Sequence, residues 1–166
     1  SLTHLDLSAN FLNEDWDSVE KQLMILHNIE VLDLSKNDIS YLTAKAFHSM
    51  PNLTELYLSG NNLTKLPSDL FQHNKKLEII DLELNKLTEF KVSIIENLPK
   101  LKRLNLQYNM ITYLEPVLTD FIQNSHTIVE FGILSNPLTC SCSQENVQQF
   151  ILETEKVPDS TSLTCA

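Results

Sequence analysis

The most reactive side chains in this sequence are three thiols, Cys140, Cys142 and Cys165, the first two set as C-x-C in the stretch N-P-L-T-C-S-C. A zinc site would want a fourth ligand and a spacing such as C-x-x-C, and neither is present. Nucleophilic catalysis would want a thiol beside an imidazole, and His126 is the only histidine near them in sequence. The chemistry left is a disulfide staple. Closing a loop of about 25 residues is worth roughly 3 kcal/mol in the loop-entropy picture. An odd count leaves one thiol without an internal partner, so the natural chain is expected to continue past Ala166.

Other chemistry is excluded by charge. The net charge is -10, from 22 acidic and 12 basic residues. Binding a nucleic-acid backbone needs clustered Lys and Arg. The densest basic positions, Lys75, Lys76, Lys100, Lys102 and Arg103, read as solvated turn residues. Direct nucleic-acid binding by this segment is not expected, and no residue pattern calls for a cofactor. Asn52-Leu-Thr and Asn62-Leu-Thr are glycosylation sequons, which fit an oxidising secretory route.

These groups are positioned by a repeat. In LTELYLSGNNLTKL the positions Leu53, Leu56, Leu58, Asn61, Leu63 and Leu66 follow the frame L-x-x-L-x-L-x-x-N-x-L. The frame returns from Leu2, Ile29, Leu77, Leu101 and Ile128, six copies in register. A large apolar residue stands six places before each new copy (Leu23, Phe47, Phe71, Ile95, Ile122). Three places before, Leu26, Met50 and Leu98 keep the pattern, while Asn74 and Ser125 break it. Each copy thus supplies a short strand and a returning segment whose apolar side one copy cannot bury alone. The copies must stack. The expected architecture is an α/β solenoid, a horseshoe with short parallel strands on the concave face and irregular or short helical segments on the convex side. Residues 1–138 would form the repeats and 139–166 a partial C-terminal cap.

The asparagine column (Asn10, Asn37, Asn61, Asn85, Asn109, Asn136) is expected to bond inward to the backbone and to be architectural. Ser18 to Leu26, residues after Pro116 (with Val117, Leu118, Phe121 and Ile122 apolar), and a segment opened by Ser143 or Gln144 with Val147, Phe150 and Ile151 on one stripe are the predicted helices. VSIIENLP predicts a helical turn. Trp16 reads as a cover over the enlarged first coil, or as a partner anchor.

Strand residues between the leucines alternate outward. One outward column reads His4, Val31, Glu55, Ile79, Arg103, Glu130; the next Asp6, Asp33, Tyr57, Asp81, Asn105, Gly132; the third Ser8, Ser35, Ser59, Glu83, Gln107, Leu134. The concave face is therefore acidic through four repeats, with Tyr57 in its middle, and would steer a basic partner. The candidate binding residues are Asp6, Asp33, Glu55, Tyr57, Asp81, Glu83 and Arg103. Asp33 and Asp81, two strand steps or about 10 Å apart, make a poor hydrolytic pair, and a surface without a pocket argues against an enzyme. His48 and His73 fall at similar places on neighbouring repeats, where imidazoles could sense endosomal pH.

With these residues in view, the chain resembles extracellular leucine-rich repeat proteins with a cysteine-rich C-terminal cap. The 24-residue repeat with Phe47 and Phe71 on its back is most similar to Toll-like receptor ectodomains. In that family the first cap cysteine pairs with the third, which implies Cys140–Cys165 and leaves Cys142 for a cysteine beyond Ala166. The fourth cysteine is missing, and Phe150 stands where the cap helix often has tryptophan. The resemblance implies an innate immune receptor that recognises a protein or microbial ligand and forms a homo- or heterodimer with another ectodomain. Tyr108, Tyr113 and the cap helix are then candidate dimer contacts. It also implies glycans, a membrane anchor outside this chain, and a place on the cell surface or the endosomal-lumenal face of a single-pass receptor. Cell-adhesion and axon-guidance proteins share the same cap, so a constitutive protein-binding role is the alternative.

Overall fold

The computed structural model describes residues 2–139 and 145–158. Six three-residue strands, β1 (His4–Asp6), β2 (Val31–Asp33), β3 (Glu55–Tyr57), β4 (Ile79–Asp81), β5 (Arg103–Asn105) and β6 (Glu130–Gly132), form one sheet. They lie in chain order and every pair is parallel. The register carries Leu5, Leu32, Leu56, Ile80, Leu104 and Phe131 across the sheet as one inward row. Residues from Leu32 to Phe131 in that row are buried, while Leu5 on the first coil is half-buried. Aliphatic side chains of successive coils thus share a single dry interior, which is the stacked solenoid the repeat demands.

The asparagine ladder locks each coil to the next. The Asn61 amide nitrogen donates to the carbonyls of Leu58 (2.9 Å) and, one coil back, Leu34 (3.0 Å). Its oxygen accepts from the backbone N–H of Ile39 (2.9 Å) and Asn37 (3.2 Å). Asn37, Asn61, Asn85 and Asn109 are buried, so these amides satisfy backbone groups that water cannot reach. One residue before each ladder asparagine the backbone turns left-handed: Ala9, Lys36, Gly60, Leu84, Tyr108 and Ser135 all have φ between 53° and 67°. Only one of the six is glycine, the residue for which that conformation is cheap.

The convex side is irregular, with three helices among the described residues: α1 (Trp16–Leu23), α2 (Pro116–Asn124) and α3 (Glu145–Glu153). Single 3-10 turns occupy Leu12–Asp15 and Val92–Ile94. The first helix starts before the predicted Ser18, which carries Trp16 inward. Trp16 is 1% exposed and belongs to the core, so it is no partner anchor. In α2, Pro116 at the first turn sets the phase that buries Leu118, Thr119 and Ile122. Val117 is 56% exposed. In α3, Val147, Phe150 and Ile151 are buried, and the Phe150 ring lies 6.2 Å from that of Phe131 in β6.

Asn74, an interruption in the apolar pattern, is fully buried. Its amide nitrogen donates to the carbonyls of Phe47 (2.9 Å) and Met50 (2.8 Å) on the preceding coil, beside the stacked rings of Phe47 and Phe71 (6.1 Å). The break is a second inter-coil lock.

Candidate recognition surface

The sheet aligns its residues in the columns the repeat predicts, but three positions expected to face outward, Ser35, Gly132 and Leu134, are buried, and Leu134 joins the core. His4, Val31, Glu55, Ile79, Arg103 and Glu130 align in one, and Asp6, Asp33, Tyr57, Asp81, Asn105 and Gly132 in the next. Period-two alternation produces this: the same strand that buries its central leucine points its two neighbours outward.

Charge on this face divides in two. Towards the C-terminal end Arg103 and Glu130 neutralise each other, with Arg103 Nε 3.2 Å from Glu130 Oε2, while Glu83 Oε2 accepts from the Asn105 amide at 3.0 Å and keeps its charge. Towards β1 no ion pair among the described residues involves Asp6, Asp33, Glu55 or Asp81. Three of these carboxylates turn back onto their own strand ends. Asp6 accepts from the Ser8 N–H (2.8 Å), Asp33 from the Ser35 N–H (2.8 Å) and hydroxyl, and Asp81 from the Glu83 N–H (3.1 Å). The Tyr57 hydroxyl donates to Glu55 Oε2 at 2.7 Å.

The protonation equilibria follow that geometry. The hydrogen bond to Glu55 is the main reason the Tyr57 phenol is pushed up to about 12, with burial and the charges of Glu55, Asp81 and Asp33 adding to it. Burial pushes the Asp81 carboxyl above its ordinary value, and the neighbouring charges of Glu83 and Asp33 add to the shift. The Ser8 hydrogen bonds hold Asp6 lower. The acidic half of the face is thus a field of anions around a neutral phenol.

The face is not featureless, contrary to the expectation of no pocket. A hollow of about 290 Å³ opens at β1–β3, lined by His4, Leu5, Asp6, Val31, Asp33 and Tyr57. It has an apolar floor and an acidic rim, suited to holding a side chain. A nucleophile paired with a base is not among its lining residues.

A second surface, only partly foreseen, lies on the lateral flank where the chain leaves the strands. Tyr108 (52% exposed) and Leu84 (55%) occupy equivalent places on adjacent coils, and Met110 (55%) and Tyr113 are exposed after them in the same repeat. The frame marked these positions only as spacers, and the left-handed backbone at Leu84 and Tyr108 is what turns them outward.

The sequon asparagines are half-buried rather than freely exposed. Asn52 donates to the His27 carbonyl (3.3 Å) and accepts from Lys76 Nζ (2.8 Å). Asn62 donates to Asp38 Oδ1 (3.2 Å) on the preceding coil. Cys140, Cys142 and Cys165, and with them the expected disulfide, lie outside the described residues. No group of three or more metal-ligating side chains occurs among the described residues, and no helix there is long and apolar enough to cross a membrane.

Stacked parallel strands, an inward leucine row and an asparagine ladder define a class of repeat module that commonly mediates protein–protein recognition. The family model for the leucine rich repeat matches residues 1–63 and 51–111. The chain belongs to the leucine-rich repeat family. No curated protein sequence matches it.

Proposed function

We propose that this chain is the recognition and dimerisation segment of an extracellular Toll-like receptor. It takes a protein or microbial ligand on its concave face and pairs with a second ectodomain, of the same or another receptor, through the flank bearing Tyr108 and Tyr113. The observation that carries the recognition half is the row Asp6, Asp33, Tyr57 and Asp81. Its carboxylates have no cation among the described residues, and Asp6, Asp33 and Tyr57 line a hollow sized for a side chain. A partner presenting Lys or Arg supplies the missing charge and is steered by it. The neutralised half at β5 and β6 has no such demand, so Arg103 and Glu83 border the site.

In this reading residues 139–166 form the cap, with Cys140 joined to Cys165 and Cys142 to a cysteine beyond position 166. Asn52 and Asn62 carry glycans, and the segment faces the outside of the cell or an endosomal lumen, with its anchor elsewhere. The module performs no chemistry of its own.

Two measurements test it. Sequencing the transcript past codon 166 should reveal a membrane span followed by an intracellular signalling domain; further extracellular modules would instead make this an adhesion or guidance molecule. In the receptor so completed, the triple reversal Asp33→Lys, Glu55→Lys, Asp81→Lys should abolish ligand binding. Unchanged binding would retire the concave site.

A further inference from the structure

The exposed histidines on the convex side are closer than equal places on neighbouring coils require. Phe47 and Phe71 mark equivalent positions 24 residues apart, whereas His48 and His73 are offset by one residue more. That offset brings their rings to a centroid separation of 3.8 Å with planes inclined at 50°. We propose that His48 and His73 form a two-imidazole site for a borderline-soft divalent cation of the zinc type.

Three features support the assignment. Neither ring makes a hydrogen bond among the described residues, so their nitrogens are available as ligands. By contrast, His27 spends Nδ1 on the Ser49 carbonyl (3.1 Å), and His4 Nδ1 lies 2.9 Å from the Thr3 hydroxyl. Next, the two backbones are held at fixed separation. The buried Asn74 amide, adjacent to His73, bonds the carbonyls of Phe47 and Met50 on either side of His48, and the Phe47–Phe71 stack lies in the same two coils. Such restraint lowers the entropic cost of bringing two ligands to one ion. Lastly, imidazole nitrogen suits zinc, nickel and copper, whereas calcium and magnesium demand oxygen.

The geometry needs only a small adjustment. Zinc–nitrogen bonds of about 2.0–2.1 Å in a tetrahedral arrangement hold two ring centres roughly 5 Å apart. Both side chains are exposed, so side-chain rotation alone can open the pair by that amount. Two protein ligands leave the remaining positions to water, which makes this an open site rather than a closed structural one.

The test is calorimetric titration of Zn²⁺ into the tag-free chain, with and without prior alkylation of its thiols. One site per chain is expected, insensitive to alkylation. His48→Ala and His73→Ala should each weaken it at least tenfold, His126→Ala should leave it unchanged, and Mg²⁺ should give no heat. Because the mutated rings are exposed, circular dichroism should report an intact fold in each variant. Absence of Zn²⁺ binding overturns the proposal. So does binding that survives both single substitutions, or that disappears on alkylation and so belongs to the cysteines.

Discussion

The Lys156 ammonium donates to the carbonyl of Ile122 at 2.6 Å, at the C-terminal end of α2. It also reaches the carbonyls of Ser125 (2.6 Å) and Gln123 (3.1 Å), groups that a helix end leaves without intrahelical partners. A cation there meets the negative end of the helix dipole. The Lys156 carbonyl in turn accepts from the Phe131 N–H at 2.7 Å, on the outer edge of β6. One residue therefore ties α2, the last strand and the segment after α3 together. Lys156→Met keeps the aliphatic stem and removes the charge. It is expected to cost about 1–2 kcal/mol, with faster hydrogen exchange in α3 and β6 and unchanged exchange in β2 and β3. Uniform exchange across the chain would contradict this local role.

The asparagine ladder should be worth more inside the stack than at its end. Asn61 makes four hydrogen bonds between two coils while buried. Asn10 is exposed and its amide nitrogen serves only Leu7 and Ser8 on its own coil. Asn61→Ala strands buried donors and acceptors and should lower stability by about 3 kcal/mol or more, against about 1 kcal/mol for Asn10→Ala. Urea midpoints of the two variants decide it.

Acid should erase a benefit that Asp81→Asn confers at neutral pH. The Asp81 carboxyl is raised by burial and by the charges of Glu83 and Asp33. The native state therefore keeps a proton at pH values where the unfolded chain has released it. Stability assigned to this group rises as the pH falls through its folded value and is a deficit above it. Asparagine retains an oxygen for the Glu83 N–H and drops the charge. The variant should be more stable than the parent at pH 7 and indistinguishable from it below pH 4. A gain that persists in acid would show that the charge was not its source.

Pairing through the flank predicts a substitution that helps the fold and harms the complex. Tyr108 holds φ at 53°, a conformation costing a non-glycine residue about 1 kcal/mol or more, which asparagine tolerates better. Tyr108→Asn should leave the melting midpoint unchanged or slightly higher. In sedimentation of the completed ectodomain it should weaken self-association at least tenfold, as loss of an aromatic hot spot does. Undiminished association would remove Tyr108 from the interface.

How far the sequence reached depends on which force set each feature. Strand positions and outward columns were legible because leucine burial repeats with a strict period, so once Leu56 is inside, Glu55 and Tyr57 must be outside. The flank was less legible. Leu84 and Met110 occupy spacer positions, and their exposure follows from a backbone turn that composition does not mark, since glycine fills it only at Gly60. Asn74 looked like a defect because the pattern counts apolar residues and does not see two carbonyls awaiting a donor. Of the two readings of Trp16, the cover over the enlarged coil holds and the partner anchor falls, because the helix begins two residues before Ser18 and turns the indole inward. Lys156 acts through contacts some thirty residues away, which no local spacing encodes.

Each strand is three residues long, and its ladder hydrogen bonds run from coil to coil along the stacking direction. Tension applied between the two ends of the stack would therefore fall on these joints in series. The first to yield would be whichever coil is least locked by its asparagine, and the module would lengthen stepwise under load, like a spring giving way one turn at a time.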